Sequence, residues 1–266
     1  MSARQIPPTF VPKIWGSTNL EPWFSIMQDK VGEVWFPAGN LLVKFLFTSE
    51  NLSVQVHPGD DYARENENSP GKTEMWYVLR AEPGAKVALG FRTPIEKAAL
   101  PALALSGAVM DHLAWYEACP GDTFFIPAGV VHAIGAGLVL CEIQQNSDIT
   151  YRIFDYGRSR ELHLARALDV ADCECREGRH RTAEFHAGRS LLAKCEHFAT
   201  EKLEFRNSIQ IEGSSLVIFL EGEGRISGNW FTKGTVWNVS KDSSVSIEPC
   251  GAALALYVQP GPLPDV

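Results

Sequence analysis

Turn-forming residues break this chain at intervals too short for anything but brief strands over most of its length. Its 266 residues include 22 Gly and 16 Pro. Residues 41–48 form a nearly continuous apolar run, and residues 51–57 alternate, with Leu52, Val54 and Val56 opposite Ser53, Gln55 and His57. Residues 74–80 alternate again, Met75, Tyr77 and Leu79 opposing Glu74, Trp76 and Val78. Pro83-Gly84, Pro120-Gly121-Asp122 and Pro127-Ala128-Gly129 separate further strand segments at 86–89, 115–118, 123–126, 131–134, 138–145 and 150–154. The pattern resumes from residue 190 to 260. Short strands at this spacing, with turn chemistry between them, predict a mainly β chain folded as sandwiches or jelly-roll barrels.

Two helices are expected. Thr93-Pro94-Ile95-Glu96 has the form of a capping box with Pro at the first helical position, opening a helix to about Leu100. Residues 159–172 carry Leu164, Leu168 and Ala171 on one helical face. The polar stretch from Glu174 to Arg181 marks the boundary of a second β-unit. The chain therefore divides into residues 1–158, a helical and polar connector at 159–182, and a smaller unit at 183–266.

Charge narrows the partners. Lys and Arg number 24 against 32 Asp and Glu, a net charge of −8, which speaks against a nucleic-acid partner. An anionic ligand must find a local basic pocket. No apolar run approaches the ~20 residues of a membrane span, and the first residues lack the apolar core of a signal peptide. A cytoplasmic location follows as an expectation. The six cysteines are scattered with no Cys-x-x-Cys pair, as expected of reduced thiols rather than a disulfide or zinc framework.

Four residues have metal-binding chemistry in a compatible arrangement. Gln55 and His57 leave the same face of one strand, Glu74 opens the next strand, and His132 follows the turn at Pro127. Imidazole, carboxylate and amide oxygen suit a zinc-like divalent ion with positions left for water or substrate. The spacing Gly121, Pro127, Gly129, His132 is that of the second cupin motif, although Ala136 stands where that motif expects Asn. Gln55-Val56-His57 replaces the His-x-His of the first motif, and the interval from His57 to Glu74 is longer than that motif allows.

These departures point to one family. Gln55-Val56-His57-Pro58, the segment Gly71-Lys72-Thr73-Glu74-Met75-Trp76-Tyr77-Val78-Leu79, and the segment from Glu142 through Tyr151-Arg152 to Asp155-Tyr156 resemble type I mannose-6-phosphate isomerases of the short bacterial form, as does Lys13-Ile14-Trp15-Gly16. The resemblance implies a double cupin of two jelly-roll barrels, with one zinc ion per chain held by Gln55, His57, Glu74 and His132. It further implies reversible isomerisation of mannose 6-phosphate and fructose 6-phosphate through a cis-enediol. Lys72 and Arg152 match the family's site cations. Glu142 is open to two roles: the base that moves the proton, or a carboxylate that orients a metal-bound His.

The C-terminal unit is expected to be a metal-free cupin, and the protein a monomer or weak homodimer. A sugar-phosphate-binding cupin without activity, or an isomerase of another hexose phosphate, are the competing readings. Asp60-Asp61 reads as a solvated turn, Trp76 and Trp115 as core, and Gly222-Glu223-Gly224 as a hairpin turn.

Overall fold

The computed structural model describes residues 2–175, 179–180 by backbone alone, and 188–261. The expected boundary between 182 and 183 lies outside the described residues. The chain opens with β1 (Ala3–Ile6), β2 (Thr9–Ser17), β3 (Val31–Ala38), β4 (Leu41–Phe47) and β5 (Val54–Val56). Helix α1 (Asp60–Glu67) precedes β6 (Glu74–Ala81) and β7 (Lys86–Phe91). Helices α2 (Leu100–Ser106) and α3 (Val109–His112) lead into β8 (Leu113–Glu117), β9 (Thr123–Ile126), β10 (His132–Ile134), β11 (Leu138–Gln145) and β12 (Tyr151–Phe154). Helix α4 (Leu164–Val170) follows.

Two sheets form the N-terminal barrel. One runs β9-β6-β11-β4-β3-β2, extended past β9 by residues 179–180, and the other runs β12-β5-β10-β7-β8. All their pairings are antiparallel. The larger sheet is covered on both faces. Val43, Phe45, Phe47, Met75 and Tyr77 point away from the barrel and pack with Leu216, Ile218, Leu220, Leu256 and Val258 of the C-terminal unit. Leu46, Trp76, Val78 and Leu140 point inward, among Val87, Leu89 and Ile134 of the facing sheet. Burial on both faces explains why β4 reads as a continuous apolar run instead of an alternating one. The outer face of the smaller sheet, with Val54, Val56, Ala133 and Ile153, is roofed by Leu100, Ala104, Val109 and Ala167 of the helices.

The second barrel pairs a six-stranded with a four-stranded sheet. β1 runs in its larger sheet, Ala3–Ile6 against Val239–Val236, so the first strand of the chain serves the second barrel. The two jelly-roll barrels joined by a few helices match the architecture expected from the sequence.

Several local expectations need correction. Thr93–Glu96 does not open a helix: Glu96 is extended at ψ 125°, and a 3-10 turn at Lys97–Ala99 precedes α2. Leu100 is fully buried in the roof over the smaller sheet, and that anchoring places the helix later than the local cap signal. The helix expected over 159–172 is confined to Leu164–Val170, because Arg158 and Arg160 turn back to Asp155 and the Glu161 carbonyl accepts from Arg152. Asp60-Asp61 is no simple turn but the start of α1. Gly222 does not close a hairpin. The strands on either side of it, Ser215–Glu221 and Glu223–Ile226, belong to different sheets. Gly222 turns this corner at φ 84°, where a Cβ would meet the Ala252 carbonyl oxygen at 2.6 Å.

Candidate metal centre and substrate cavity

Inward positions along the barrel strands change character with depth. On β6 the inward series is Glu74, Trp76, Val78; on β11 it runs Glu142, Leu140, Leu138; on β4 it is Lys44 then Leu46. The apolar members plug the barrel, and the polar ones lie at its open end. Side-chain alternation thus sends adjacent inward residues of one strand to the plug and to the site.

His57, Glu74 and His132 come together at that end, with candidate ligand atoms all within 4.8 Å of one another. His132 Nε2 lies 3.5 Å from Glu74 Oε1, His57 Nε2 lies 3.6 Å from Glu74 Oε2, and Gln55 Nε2 lies 3.2 Å from His132 Nε2. Gln55 arrives there because β5 and β10 pair it directly with His132. Each imidazole has its Nδ1 bonded to a backbone carbonyl, His57 to Ile149 at 2.8 Å and His132 to Val130 at 2.9 Å. These bonds leave Nε2 as the lone-pair atom facing the carboxylate. Burial, with Lys72 beside them, lowers both imidazole pKa values, His132 to about 4. Both rings are therefore neutral, the state in which a metal takes them.

The group fits a divalent cation. Nearest-neighbour separations of 3.2–3.6 Å match the edge of about 3.4 Å that a tetrahedron of ligands has when its bonds are near 2.1 Å. Glu74 is fully buried, and its Oε2 accepts no well-angled hydrogen bond. The Lys72 ammonium stands 2.7 Å from that oxygen and 2.9 Å from His57 Nε2, supplying the positive charge these donors face. A half-turn of the Gln55 amide exchanges Nε2 for Oε1, the atom a cation takes. Among the described residues no other cluster of three His, Cys, Asp or Glu donors is assembled.

Beside this cluster lies a cavity of about 210 Å³ lined by Gln55, Lys72, Glu142 and Arg152 together with Lys13, Trp15, Glu33, Lys44 and Arg160. Every site residue expected from the sequence lies in the cavity wall or the metal cluster. Lys72 precedes β6 and still reaches Glu74. Burial opposes its charge, but Glu74 and Glu142 outweigh it and raise the ammonium pKa. Burial, then Glu74, raises Glu142. Glu142 Oε2 accepts from Trp76 Nε1 at 2.9 Å, and its Oε1 stands 3.5 Å from Lys44 Nζ. Arg152 is opposite Gln55 across β12 and β5.

Three groups here escaped the sequence reading. Lys44, 3 % exposed, sits inside an apolar run that otherwise announces only core; a lysine in such a run was the available signal. Trp76 is fully buried as expected, yet its Nε1 also bonds Glu74 Oε1 at 3.1 Å and so bridges the two carboxylates. Arg160 had no local pattern to mark it.

Two joined jelly-roll barrels define a double cupin, and the Gln, His, Glu, His cluster at the mouth of the first is its candidate metal centre among the described residues. Curated relatives narrow this class. The chain is 32% identical over 283 residues to the mannose-6-phosphate isomerase ManA of Bacillus subtilis, covering 85% of this chain and 89% of that protein. It is 34% identical over 201 residues to the mannose-6-phosphate isomerase of Streptococcus mutans, covering 70% and 62%. The chain belongs to the mannose-6-phosphate isomerase family. The crystal structure of the Bacillus subtilis mannose 6-phosphate isomerase superposes with a TM-score of 0.87 at 26% identity, over 97% of this chain and 100% of that one. A zinc-bound mannose 6-phosphate isomerase shares the fold at a TM-score of 0.78 and 15% identity, over 97% and 99%. No protein-family model matches the chain.

Proposed function

We propose that this chain interconverts mannose 6-phosphate and fructose 6-phosphate at the mouth of its N-terminal barrel, with one zinc ion held by Gln55, His57, Glu74 and His132. One observation carries the reading: a buried His-Glu-His cluster with Gln55 beside it lies next to a cavity whose wall holds Lys72, Glu142 and Arg152. The named relatives are isomerases of this substrate. The hard-to-intermediate N and O donor set suits zinc. Bound there, zinc supplies Lewis acidity toward negative charge developing on substrate oxygen.

The chain's own groups do the rest. Isomerisation through a cis-enediol takes a proton from C2 and returns it to C1, and requires a positioned base. Glu142 fills that role in this reading. Both His Nδ1 atoms are already held by carbonyls, so no carboxylate is needed to orient them. The Trp76 indole N–H and the Lys44 ammonium steady the Glu142 carboxylate between them. Lys72 stays charged beside Glu74 and donates toward substrate oxygen. Arg152 adds fixed positive charge, which guanidinium keeps at any working pH. In this reading the catalytic unit is the first barrel together with the segment that carries Arg160, and the second barrel gives a metal-free support. A phosphorylated sugar substrate is in keeping with a cytoplasmic location. No helix among the described residues is long and apolar enough to cross a membrane.

A coupled assay tests the reading. Fructose 6-phosphate should form from mannose 6-phosphate, cease with EDTA and return with zinc. Folded, zinc-loaded protein that turns over neither direction overturns it. Turnover of a different hexose phosphate in the same screen would redirect it.

A further inference from the structure

The cavity's positive charge is unevenly distributed. Each lysine in its wall is matched by a carboxylate: Lys13 with Glu33 at 3.3 Å, Lys44 with Glu142 at 3.5 Å, and Lys72 with Glu74 at 2.7 Å. The arginine side differs. Arg152, Arg158 and Arg160 gather around one buried carboxylate, Asp155, which is 2 % exposed. Arg160 Nε donates to Asp155 Oδ2 at 2.8 Å, and its Nη2 donates to Oδ1 at 2.6 Å. Arg158 donates from Nε and Nη2 to Oδ1 at 3.1 and 2.7 Å, and its Nη2 also reaches the Asn51 carbonyl. Arg158, which does not line the cavity, is thereby used up, with Glu50 4.0 Å from its Nη1.

Arg160 is not used up. The side-on grip by Asp155 takes Nε and Nη2 and fixes the guanidinium plane, while Nη1 has no partner among the described residues. Arg160 lines the cavity. So does Arg152, whose Nη1 bonds the Glu161 carbonyl and whose buried Nε has no acceptor. Burial, then the neighbouring Arg160, lowers the Arg152 pKa, as like charges held side by side should. A dianionic phosphate answers that surplus, and the guanidinium fork matches its geometry.

We propose that Arg160 recognises the substrate's phosphate, that Asp155 is its positioning residue, and that the sugar therefore lies with its phosphate at the arginine side and its reacting carbons toward His57 and Glu74. The inference rests on the sugar-phosphate reading above for the substrate's identity, but not for the anion subsite itself.

The zinc-loaded full chain is the material for the test. Arg160→Ala should raise KM for mannose 6-phosphate about ten- to hundredfold, the range for losing a hydrogen-bonded charge contact, with a much smaller change in kcat. The inhibition constant of inorganic phosphate, and its direct binding by calorimetry, should weaken by a similar factor. Arg160→Lys keeps the charge without the grip and should recover only part of the loss. Asp155→Asn should weaken phosphate in the same sense, because an amide nitrogen cannot accept from Arg160. Unchanged KM and unchanged phosphate binding in Arg160→Ala overturn the proposal, as does wild-type protein that binds no phosphate. Wild-type protein that binds phosphate through Arg160 yet isomerises no mannose 6-phosphate sustains the subsite and overturns the proposed function.

Discussion

The two barrels share an architecture and differ in what their inward positions carry. In the first, inward side chains turn polar toward the open end, from Val78 through Trp76 to Glu74 on one strand. In the second, Val217, Phe219, Ile226, Phe231, Val245, Ile247 and Ala255 form one apolar cluster, with Phe219 and Phe231 stacked at 3.6 Å. A jelly roll is therefore not a site by virtue of its fold. It becomes one where a few inward positions exchange apolar contact for groups that satisfy each other, and the plug beneath bears the packing.

Breaking each barrel at its characteristic residue should separate these roles. Glu74→Ala removes the carboxylate common to both histidines. Bound zinc, read by elemental analysis, should vanish, and turnover should fall by more than about a thousandfold while circular dichroism stays native. Phe219→Ala should do the reverse. Denaturant unfolding should show a loss of about 3 kcal/mol or more, the usual cost of emptying an aromatic core site, with turnover per folded molecule unchanged.

Trp76 belongs to both worlds, and Trp76→Phe sharpens the contrast by keeping the ring while deleting its N–H. Glu74 Oε1 and Glu142 Oε2 each lose a donor. Turnover or zinc affinity should drop about ten- to hundredfold, the range for removing a group that supports ligands from behind. A drop in stability alone would place Trp76 with the plug.

The smallest effect is expected at Asp60. Its Oδ1 accepts from Gly71 N at 2.7 Å and Gln145 Nε2 at 2.8 Å, and Gln145 in turn accepts from Thr73 N. The segment that delivers Lys72 and Glu74 is latched this way. Partial burial opposes the Asp60 charge, but these hydrogen bonds outweigh it and lower the carboxyl pKa. A lowered folded-state value stabilises above the ordinary aspartate pKa of about 3.9 and is lost as pH falls through the lower value. Asp60→Asn should cost about 1 kcal/mol at neutral pH and flatten that part of the acid-unfolding curve. An unaltered acid limb would remove Asp60 from the latch.

Period-two alternation in the chain was enough to put Gln55 and His57 on one face, to pair Glu74 with Trp76 and Val78, and to announce a β fold in two units. Those inferences hold because a strand's geometry is local: the backbone pleat alone dictates which side chains share a face. Motif spacing then placed His132, the family likeness supplied Lys72 and Arg152, and the apolar neighbours Cys141 and Ile143 marked Glu142. Folding in three dimensions supplied what no window of sequence contains. Lys44, inside an apolar strand, had no role in the sequence until strand register set Glu142 across from it. Asp60-Asp61 looked like a turn because α1 has only Ala63 buried and no apolar stripe to reveal it. Arg160 lies in a loop without periodicity, and its direction is imposed by Asp155 five residues earlier and by the barrel mouth beside it. Alternation is written into the chain, whereas the partner of a charge depends on which distant strands are brought alongside, and only the closed barrel specifies that.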